Sequence, residues 1–288
     1  MTDDEQAPQR PGVLVRQAAS RLETAGLPSA MADARTLLAH VLHVEPVALA
    51  AIHDVPPEKA DVFRQLVARR TRWEPLQHLT GESWFRGHRL VVGPGVFIPR
   101  PETEGLVQLV KDWLAGQGAQ NPVVVDLGTG SGAIALALAR ECDADLYAAE
   151  SSDTAYDYAR RNIGTEACLR YDDWTDCYPD LDGQAMVVVC NPPYVPSGTS
   201  LPRDVEGYDP PEALFAGEDG LGAIREIVPV AARLLRPGGL LAFEHDDSQG
   251  ESAPAVVAAD GRFNSIADHK DLAGRARYVT ALRDKVAK

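Results

Sequence analysis

Asn191-Pro192-Pro193-Tyr194 brings together residue types that can hold a planar nitrogen atom. The side-chain carbonyl of Asn191 and the main-chain carbonyl of Pro192 can both accept hydrogen bonds from one NH2 group, and the two prolines fix the backbone that aims these acceptors. Tyr194 offers a flat face for stacking. The tetrapeptide follows the apolar run Met186–Cys190, which places it at the end of a predicted buried strand. The pattern favours methyl transfer onto an amide or an exocyclic amine, and the alternative is a structural turn.

A glycine-rich loop lies upstream of this tetrapeptide, at the end of the apolar run Val123–Leu127. Glycines allow positive φ angles and a close approach of the backbone to a ligand. The loop reads Asp-Leu-Gly-Thr-Gly-Ser-Gly, and this spacing resembles the motif of S-adenosylmethionine-dependent methyltransferases with a Rossmann-like sheet. Without a ligand, the segment would be an ordinary strand-to-helix turn. The candidate cofactor-binding residues in it are Asp126, Gly128, Thr129, Gly130, Ser131 and Gly132.

Acidic residues and a tryptophan follow the next two predicted strands. Glu150 ends the strand that comes about 20 residues after the loop, where a carboxylate can accept hydrogen bonds from ribose hydroxyls. Further on, Asp173 and Trp174 follow the run Cys168–Tyr171, where Asp173 can bind the amino group of adenine and Trp174 can pack on its ring. The alternatives are a helix cap at Glu150 and an acidic loop with a core-anchoring tryptophan.

The predicted catalytic residues are Asn191 and Pro192. A sulfonium methyl group is already electrophilic, so the protein mainly has to align nucleophile, carbon and sulfur. An amide nitrogen is a poor nucleophile, and acceptors that grip its hydrogens favour the charge that develops on it in the transition state. No metal is needed. Ser131 has no His and Asp at recognisable positions to support nucleophilic catalysis, and a lone histidine such as His245 is more typical of a structural role.

Composition narrows the class of protein. The chain has 288 residues, and 28 basic against 42 acidic residues give a net charge of −14. Such a surface repels nucleic-acid backbones, whose non-specific affinity for proteins depends on Lys and Arg. None of the four cysteines has a zinc-finger spacing. We find no signal sequence and no apolar stretch of about 18 residues, so we expect a soluble, cytoplasmic protein with no membrane contact.

The chain divides into four segments by composition and pattern. Residues 1–10 are polar and predict a disordered tail. Residues 11–80 predict an N-terminal helical bundle. Residues 81–101 predict a β-hairpin with its turn near Gly87, followed by a proline-rich connector. Residues 102–288 alternate between short apolar runs and helical patterns, which predicts the methyltransferase catalytic domain.

This alternation predicts an α/β fold. We expect a Rossmann-like domain with a parallel sheet covered on both faces and an antiparallel hairpin at one edge, preceded by a small all-helical domain. Pro229 predicts a kink or a break in the helical pattern Leu221–Leu235. The predicted strands are Val123–Leu127, Leu146–Glu150, Cys168–Tyr171, Met186–Cys190, Leu240–Glu244, Phe263–Ile266 and Tyr278–Leu282.

From about residue 12 to its end, the chain resembles the peptide chain release factor glutamine N5-methyltransferases, the HemK/PrmC family. Pro75–Phe85 resembles the end of the family's helical domain, and Val96–Glu104 resembles its inter-domain signature. Ala216–Leu221 fits a late loop of the family. The tetrapeptide at 191–194 alone is shared with amino-methyltransferases of DNA and RNA bases, so the proline-rich connector together with the helical domain is the more specific signal.

The resemblance implies a substrate, a cofactor and roles for the site residues. The substrate is the glutamine of the Gly-Gly-Gln loop in class I release factors, and the cofactor is S-adenosyl-L-methionine, which becomes S-adenosyl-L-homocysteine. The helical domain would recognise the release factor. Residues implied in cofactor contact are Gly128, Gly130, Gly132, Glu150 and Trp174, with Asn191 at the reacting end. Residues implied in substrate binding are Asn191, Pro192, Pro193 and Tyr194, with Pro99, Arg100 and Glu102 at the entrance.

Departures from the family pattern, which include Phe97 where Leu is common, and three rival functions accompany this resemblance. Glu150 stands where the family usually has Asp, and the longer arm should still reach; Asp246 stands where Gly is common, so that loop can differ in shape. The nearest rival function is methylation of glutamine in another protein, such as a ribosomal protein. Amino methylation of a nucleic-acid base is disfavoured by the acidic charge. A binding protein without turnover is disfavoured because the tetrapeptide is intact.

Overall fold

The computed structural model describes residues 9–285, which form two compact units. The first unit extends to Glu82 and also contains Leu201–Tyr208, while the second contains Ser83–Ser200 and the chain from Asp209 onward. Most of the predicted disordered tail, residues 1–8, lies outside the described residues. Gln9, which the sequence assigns to that tail, is held in an antiparallel bridge with Val55.

The first unit is a helical bundle. Its helices up to residue 80 are α1 (Pro11–Thr24), α2 (Ala30–Leu42), α3 (Pro57–Arg70) and α4 (Leu76–Thr80). Leucines at helical spacing on α1 and α2 and Phe63 of α3 are completely buried in one core. Asp33 and Arg70 form a buried ion pair of 2.8 Å, and Arg70 also donates to the carbonyl of Glu74. The ion pair therefore ties α2 to the end of α3.

A short hairpin follows the bundle. Its strands are β1 (Glu82–Phe85) and β2 (His88–Val91). The turn residues Arg86 and Gly87 both have positive φ, which is the backbone of the tight turn that best matches strand twist. Arg86 then anchors the hairpin, because its guanidinium donates to Glu141 at 2.8 and 2.6 Å.

The second unit is built on a seven-stranded sheet. Its strands are β3 (Val123–Leu127), β4 (Asp145–Glu150), β5 (Cys168–Tyr171), β6 (Ala185–Cys190), β7 (Leu235–Glu244), β8 (Phe263–Lys270) and β9 (Ala276–Arg283). Its helices are α5 (Thr103–Gln117), α6 (Ala133–Glu141), α7 (Asp153–Ile163), α9 (Gly222–Leu234) and α10 (Ser252–Asp260), with α8 (Arg203–Glu206) between α7 and α9 in sequence.

The sheet has the order β5-β4-β3-β6-β7-β9-β8. The first five strands in this order are parallel, and β9 and β8 are antiparallel at one edge. Apolar clusters cover the sheet on both faces, and β6 at its centre is buried along its whole length. The predicted fold class, including the antiparallel edge hairpin, is confirmed.

The segment Leu201–Tyr208, which contains α8, groups with the helical unit although it follows β6 in sequence. The hydroxyl of Tyr208 donates to the carbonyl of Arg72 at 2.9 Å, and the guanidinium of Arg203 lies 5.7 Å from the ring centre of Trp73. The chain therefore passes between the two units three times, once after Glu82 and twice around this segment.

Helix α9 is continuous through Pro229, so the predicted break does not occur. Pro229 and Arg225, whose carbonyl loses its helical partner, both lie on the exposed face, where water can satisfy that carbonyl. The opposite face of α9 packs into the core and holds the helix together. Within residues 9–285, we find no helix with the length and apolar character needed to cross a membrane.

Candidate active site

The carboxyl ends of four parallel strands meet at one edge of the sheet. Leu127 at the end of β3 pairs with Ala149 of β4 on one side and with Cys190 of β6 on the other. Cys190 pairs in turn with Phe243 of β7. The residues that directly follow these paired positions are the glycine-rich loop, Glu150, Asn191 and Glu244. Positions that are distant in sequence thus become neighbours where ligands bind in open α/β sheets.

The glycine-rich loop has a left-handed backbone at each of its three glycines, with φ of +65° at Gly128, +59° at Gly130 and +84° at Gly132. A Cβ at Gly132 would come within 2.8 Å of Ile163, and one at Gly128 within 3.1 Å of Trp174. Nothing lies within 4 Å of a Cβ at Gly130. Gly128 and Gly132 are therefore required for packing, whereas Gly130 faces space that a ligand can fill.

Asp126 supports this loop from within the core. Its side chain is completely buried, and Oδ2 accepts from the hydroxyl of Thr129 at 2.5 Å and from the N–H of Ala135 at 3.2 Å. Burial raises the pKa of Asp126 to about 7. Thr129 and Ser131 are also buried. Among the predicted cofactor residues, the side chains of Asp126 and Thr129 hold the loop in shape, and the carbonyl of Ser131 accepts from Nδ2 of Asn162 at 2.8 Å.

Glu150 connects the glycine-rich loop to the start of α7. Its Oε2 accepts from the N–H of Gly130 at 2.8 Å, and its Oε1 accepts from the N–H groups of Ser151 and Ser152 at 2.9 and 2.8 Å. A carboxylate can accept about four hydrogen bonds, so about one acceptor position is left for a ligand hydroxyl. Burial raises the pKa of Glu150, while the three N–H donors oppose that shift.

Trp174 and Asp173 lie in the loop after β5. The indole ring of Trp174 packs beside Gly128, and its N–H donates to Glu226 of α9 at 3.1 Å. This contact fixes the ring next to the glycine-rich loop. Asp173 is exposed, and its Oδ1 accepts from the N–H and the hydroxyl of Thr175, so within the described residues only one of its carboxylate oxygens is engaged.

Asn191 begins the loop after β6, and its side-chain amide contacts the start of α5. Its Nδ2 donates to the hydroxyl of Thr103, the first residue of α5, at 3.1 Å. Oδ1 of Asn191 accepts no hydrogen bond from the described residues, and neither does the carbonyl of Pro192. Two acceptors on consecutive residues are thus left open within the described part of the chain, and that both bind one NH2 group stays a prediction.

A buried carboxylate lies behind the tetrapeptide. Glu244 at the end of β7 is only 1% exposed, and its Oε1 accepts from the hydroxyl of Tyr194 at 2.9 Å. Burial raises the pKa of Glu244, and hydrogen bonding by Thr103 and Tyr194 and the charge of Arg277 all oppose that shift. Burial and the nearby Glu244 also raise the pKa of Tyr194. Tyr194 therefore stays a neutral donor.

The loop that contains Asp246 holds the tetrapeptide through Gln249. Asp246 accepts from the N–H and the hydroxyl of Ser248, and its own N–H donates to Oε1 of Gln249 at 3.0 Å. Nε2 of Gln249 then donates to the carbonyls of Tyr194 and Asp219 at 3.1 and 3.3 Å. The side chain of Asp246 thus caps the loop at Ser248, while the main-chain N–H of Asp246 orients Gln249.

The proline-rich connector leads to Thr103. Arg100 forms an ion pair with the buried Asp209, and its guanidinium lies 4.9 Å from the ring centre of Phe97. The carbonyl of Glu102 accepts from the hydroxyl of Tyr278, while its carboxylate is exposed and lies 3.7 Å from Arg275. Pro99 is half-buried beside Arg100. The structure therefore uses Arg100 and the main chain of Glu102 to fix the connector.

Three site residues lie outside the sequence-based set. Thr103, Glu244 and Gln249 contact the tetrapeptide directly but were not predicted as site residues. Glu244 carries a signal that sequence reasoning could have used, because it is an acid at the carboxyl end of an apolar run, as Glu150 is. Thr103 and Gln249 carry no such signal, since their roles depend on which strands are neighbours.

Comparisons with known proteins identify the family. A family model of the PrmC N-terminal domain matches residues 14–81, and one of the methyltransferase small domain matches residues 90–202. The chain is 45% identical over 272 residues to the release factor glutamine methyltransferase of Streptomyces coelicolor, an alignment that covers 93% of this chain and 96% of that one. This chain belongs to the release factor glutamine methyltransferase family. It is an S-adenosylmethionine-dependent methyltransferase, as the sequence predicts.

Two further similarities are to methyltransferases with other names. The enzyme is 42% identical to the 4-amino-L-phenylalanine/4-methylamino-L-phenylalanine methyltransferase of Streptomyces pristinaespiralis, over 86% of this chain and 87% of that one. It also resembles a 16S rRNA methyltransferase of T. thermophilus, with a TM-score of 0.52 and 21% identity, over 71% of this chain and 50% of that one. At that identity the second likeness shows the fold alone.

The residues around the glycine-rich loop fit an adenosyl group. Gly130 leaves open space, Glu150 keeps an acceptor for a hydroxyl, and Trp174 presents a flat ring beside Gly128. These are the hydrogen-bond acceptor and the shape that a ribose and a purine require. The two open acceptors at 191–192 lie at the neighbouring strand end.

Proposed function

We propose that this enzyme transfers a methyl group from S-adenosyl-L-methionine to N5 of the glutamine in the Gly-Gly-Gln loop of class I release factors. The observation that carries the proposal is the pair of open acceptors, Oδ1 of Asn191 and the carbonyl of Pro192, at the strand end next to the glycine-rich loop. The names of its relatives support the choice of substrate. The products are N5-methylglutamine and S-adenosyl-L-homocysteine, and no metal takes part.

In this proposal the cofactor residues are those of the loop and the next strand ends. Gly128, Gly130 and Gly132 shape the backbone around the methionine part and the ribose, Glu150 accepts from a ribose hydroxyl, and Trp174 lies against the base. Asp173 keeps one carboxylate oxygen for the adenine amino group. Asp126, Thr129 and Ser131 hold the loop.

The reaction needs the amide nitrogen to be held in line with the methyl carbon and the sulfur. When bound, the cofactor supplies a methyl group on a positively charged sulfur. Asn191 and Pro192 accept hydrogen bonds from the two amide hydrogens and place the nitrogen lone pair toward that carbon. As the new N–C bond forms, nitrogen becomes positive, and the same two acceptors favour that charge. The C–S bond would break to leave the neutral thioether of S-adenosyl-L-homocysteine, and the nitrogen would release one proton to water.

Tyr194 and the connector complete the substrate site in this proposal. The ring of Tyr194, fixed by its hydrogen bond to Glu244, forms a wall for the glutamine side chain. Pro99, Arg100 and Glu102 shape the entrance, where Arg100 is held by Asp209. Pro193 keeps the loop rigid between these contacts.

We assign recognition of the release factor to the helical unit. A groove on this unit is lined by Arg10, Arg16, Arg35 and His53, with apolar residues that include the exposed Met31. Its lining contains no acidic residue, although the protein carries a net charge of −14. Within the described residues, the three arginines form no ion pair. These charges complement an acidic segment of the protein substrate.

A second candidate function is N-methylation of a free aromatic amine. The relative from S. pristinaespiralis, at 42% identity, bears the name of an enzyme for 4-amino-L-phenylalanine. A planar aromatic amine presents two hydrogens, as an amide does, so the acceptor pair at 191–192 suits both. The basic groove on the helical unit favours the protein substrate, because methylation of a free amino acid gives such a groove no role. Methylation of a ribosomal protein remains the nearest rival, and the acidic charge disfavours nucleic acid.

Cytoplasmic location follows from this proposal, because release factors act on ribosomes there. The proposal is tested with Asn191→Ala and, as a control, Asn264→Ala at the exposed sheet edge. We expect Asn191→Ala to abolish methyl transfer while the cofactor dissociation constant stays within about threefold of the parent value. Asn264→Ala should match the parent in both. Turnover that survived in Asn191→Ala would rule out the proposed grip on the amide.

A further inference from the structure

The side chain of Gln249 links its own loop, which follows β7, to two other loops of the same unit. Its Oε1 accepts from the main-chain N–H of Asp246 at 3.0 Å, and its Nε2 donates to the main-chain carbonyls of Tyr194 and Asp219 at 3.1 and 3.3 Å. A main-chain N–H can only donate and a carbonyl can only accept, so these partners determine which end of the amide is oxygen and which is nitrogen. The orientation of Gln249 is therefore set by main-chain groups alone.

The surroundings of this amide leave little room for water. Gln249 is 4% exposed. Gly220, with φ of +71°, packs so closely that a Cβ there would lie 2.3 Å from the carbonyl oxygen of Tyr194 and 2.8 Å from Nε2 of Gln249. Without the hydrogens of Gln249, that carbonyl would have no donor within the described residues, and an unpaired buried acceptor is costly.

The tetrapeptide at 191–194 is anchored at both of its ends. Before it, Cys190 lies in the ladder of β6, between β3 and β7. After it, Val195 exchanges main-chain hydrogen bonds of 2.8 and 3.0 Å with the loop at 214–216, and Gln249 holds the preceding carbonyl. Between these anchors the two prolines have fixed φ angles, which leaves few free dihedral angles. The direction of the Pro192 carbonyl therefore depends on both anchors.

We propose that Gln249 is a positioning residue, which holds the tetrapeptide so that the carbonyl of Pro192 and Oδ1 of Asn191 stay aimed at the substrate nitrogen. The kinetic consequence rests on the proposed function, whereas the contact with the carbonyl of Tyr194 is independent of any substrate. Gln249 acts through the main chain and contributes no atom to the reaction. Its loss should therefore lower kcat and leave cofactor binding intact.

Gln249→Met is the first test, because methionine has a similar length and no hydrogen to donate. We expect kcat to fall about 10- to 100-fold, because a buried carbonyl loses its donor. The cofactor dissociation constant should stay within about threefold of the parent value, which also shows that the variant is folded. Gln117→Met is the matched control, because Gln117 likewise donates to a main-chain carbonyl, that of Trp113, but is exposed. Equal kcat in Gln249→Met and the parent, or equal losses in both variants, would overturn the proposal.

Gln249→Glu tests the donated hydrogen itself. A protonated carboxyl group can still donate to the carbonyl of Tyr194, whereas a carboxylate can only accept. Burial and neighbouring negative charges disfavour ionisation of the new group, so we expect it to titrate between pH 5.5 and 9. The ratio of its kcat to that of the parent should fall at least about tenfold as the pH rises through this range. A ratio that is independent of pH would contradict the role of the donor.

The neighbouring ionisable groups are common to the parent and the variant, so their effects cancel in this ratio. The ion pair with Arg225 lowers the pKa of Asp219 to about 2. For Asp246, hydrogen bonds from Ser248 outweigh the effect of burial and lower the pKa. Both carboxylates therefore keep their charge over the assay range. The ionisable groups on the loops and strands around the amide are Tyr194, Asp219, Arg225, Glu244, His245, Asp246, Asp268 and Arg277.

A measurement without substrate separates this inference from the proposed function. The chain contains eight tyrosines, so tyrosine labelled with 13C at its carbonyl gives eight signals in an NMR spectrum, and Tyr194→Phe identifies the one from position 194. We expect that signal to move to lower chemical shift in Gln249→Met, because the carbonyl loses a hydrogen bond, and to keep its parent position in Gln117→Met. A Tyr194 signal that stays in place in Gln249→Met would contradict the contact.

The two measurements together distinguish the possible failures. A Tyr194 signal that moves while kcat stays at the parent value would contradict the positioning role. A parent enzyme that methylates 4-amino-L-phenylalanine and no release factor would overturn the proposed function alone. The same variants are then assayed with that amine, which would use the same two acceptors, and Gln249→Met should show the same loss of kcat. An unchanged kcat with the amine would overturn the inference as well.

Discussion

The carboxylate of Glu150 accepts a hydrogen bond of 2.8 Å from the main-chain N–H of Gly130, 20 positions earlier in sequence. The same carboxylate accepts from the N–H groups of Ser151 and Ser152 at the start of α7. Glu150 thus joins the ends of β3 and β4, and a ligand that bonds to it meets a loop already fixed in position. Preorganisation of this kind reduces the cost of ordering on binding.

Glu150→Gln should weaken cofactor binding. The amide of glutamine has one oxygen acceptor, and its NH2 group faces main-chain N–H groups that now donate to the carboxylate. The hydrogen bonds that fix the loop and the contact with the ribose are therefore both weakened. The loss of hydrogen bonds to a charged group, about 1.5–3 kcal/mol, corresponds to a roughly 10- to 100-fold rise in Kd. Titration calorimetry with S-adenosyl-L-methionine measures this Kd. Asp180→Asn, an exposed acid paired with Arg170, is the control, and an unchanged Kd in Glu150→Gln would contradict the assignment.

Two glycines of the same loop should respond differently to alanine. A Cβ at Gly132 meets Ile163 at 2.8 Å, so Gly132→Ala should lower the free energy of unfolding by more than the roughly 1 kcal/mol of left-handed strain alone. A Cβ at Gly130 meets no atom within 4 Å, so Gly130→Ala should cost only that strain while blocking the cofactor. Chemical denaturation measures the free energy of unfolding of the two variants, and titration calorimetry measures their affinity for the cofactor. Equal stability losses, or normal cofactor affinity in Gly130→Ala, would contradict this division.

Asp126 should make stability depend on pH between about 4 and 7. Its pKa is about 7 in the folded protein against 3.8 for an unperturbed aspartate, because burial disfavours the charge. The folded state therefore binds this proton more tightly than the unfolded state, and the contribution of Asp126 to stability decreases as the pH rises through this window. The decrease approaches ~4 kcal/mol at about 1.4 kcal/mol per pH unit.

Asp126→Asn removes this titration while keeping the shape of the side chain. Between pH 4.5 and 7.5, we expect the free energy of unfolding to change less in the variant than in the parent. Relative to the parent, the variant should become more stable as the pH approaches 7.5. Urea denaturation at several pH values checks this. Parallel pH profiles for the two proteins would show that Asp126 does not titrate in this range.

Charge reversal in the basic groove should affect recognition of the protein substrate and leave the chemistry intact. We expect Arg16→Glu combined with Arg35→Glu to raise KM for a release factor at least tenfold, with kcat within about twofold and with a smaller effect at high salt, which screens charges. Arg21→Glu is the matched control, because Arg21 lies on the same helix as Arg16 but outside the groove. If Arg21→Glu raised KM as much as the double reversal, net charge rather than the groove would be responsible.

The strands and the fold class were predictable because periodicity depends on local sequence. Val123–Leu127 and Cys168–Tyr171 have the predicted bounds, and the turn at Gly87 lies where its glycine indicates. At Pro229 the predicted break does not occur, since tertiary packing of one helix face outweighs the lost hydrogen bond, and the alternative of a kink stays a prediction.

The partners of the site residues were less predictable, because they depend on strand order. Asn191 and Tyr194 were identified from their residue types, but Thr103 and Glu244 become their partners only when β6 and β7 are adjacent and α5 begins beside them. The same holds for Arg100 and Asp209, which are 109 positions apart. A single sequence carries the chemistry of a motif, while the second layer of contacts requires the fold.

The most direct test of the account is methyl transfer from labelled S-adenosyl-L-methionine to a purified class I release factor. A variant of that factor in which the Gly-Gly-Gln glutamine is replaced and free 4-amino-L-phenylalanine are tested beside it. We predict label on the native factor alone. Label on the small amine instead would select the second candidate function, and no label on the native factor, with cofactor binding intact, would contradict the proposed substrate.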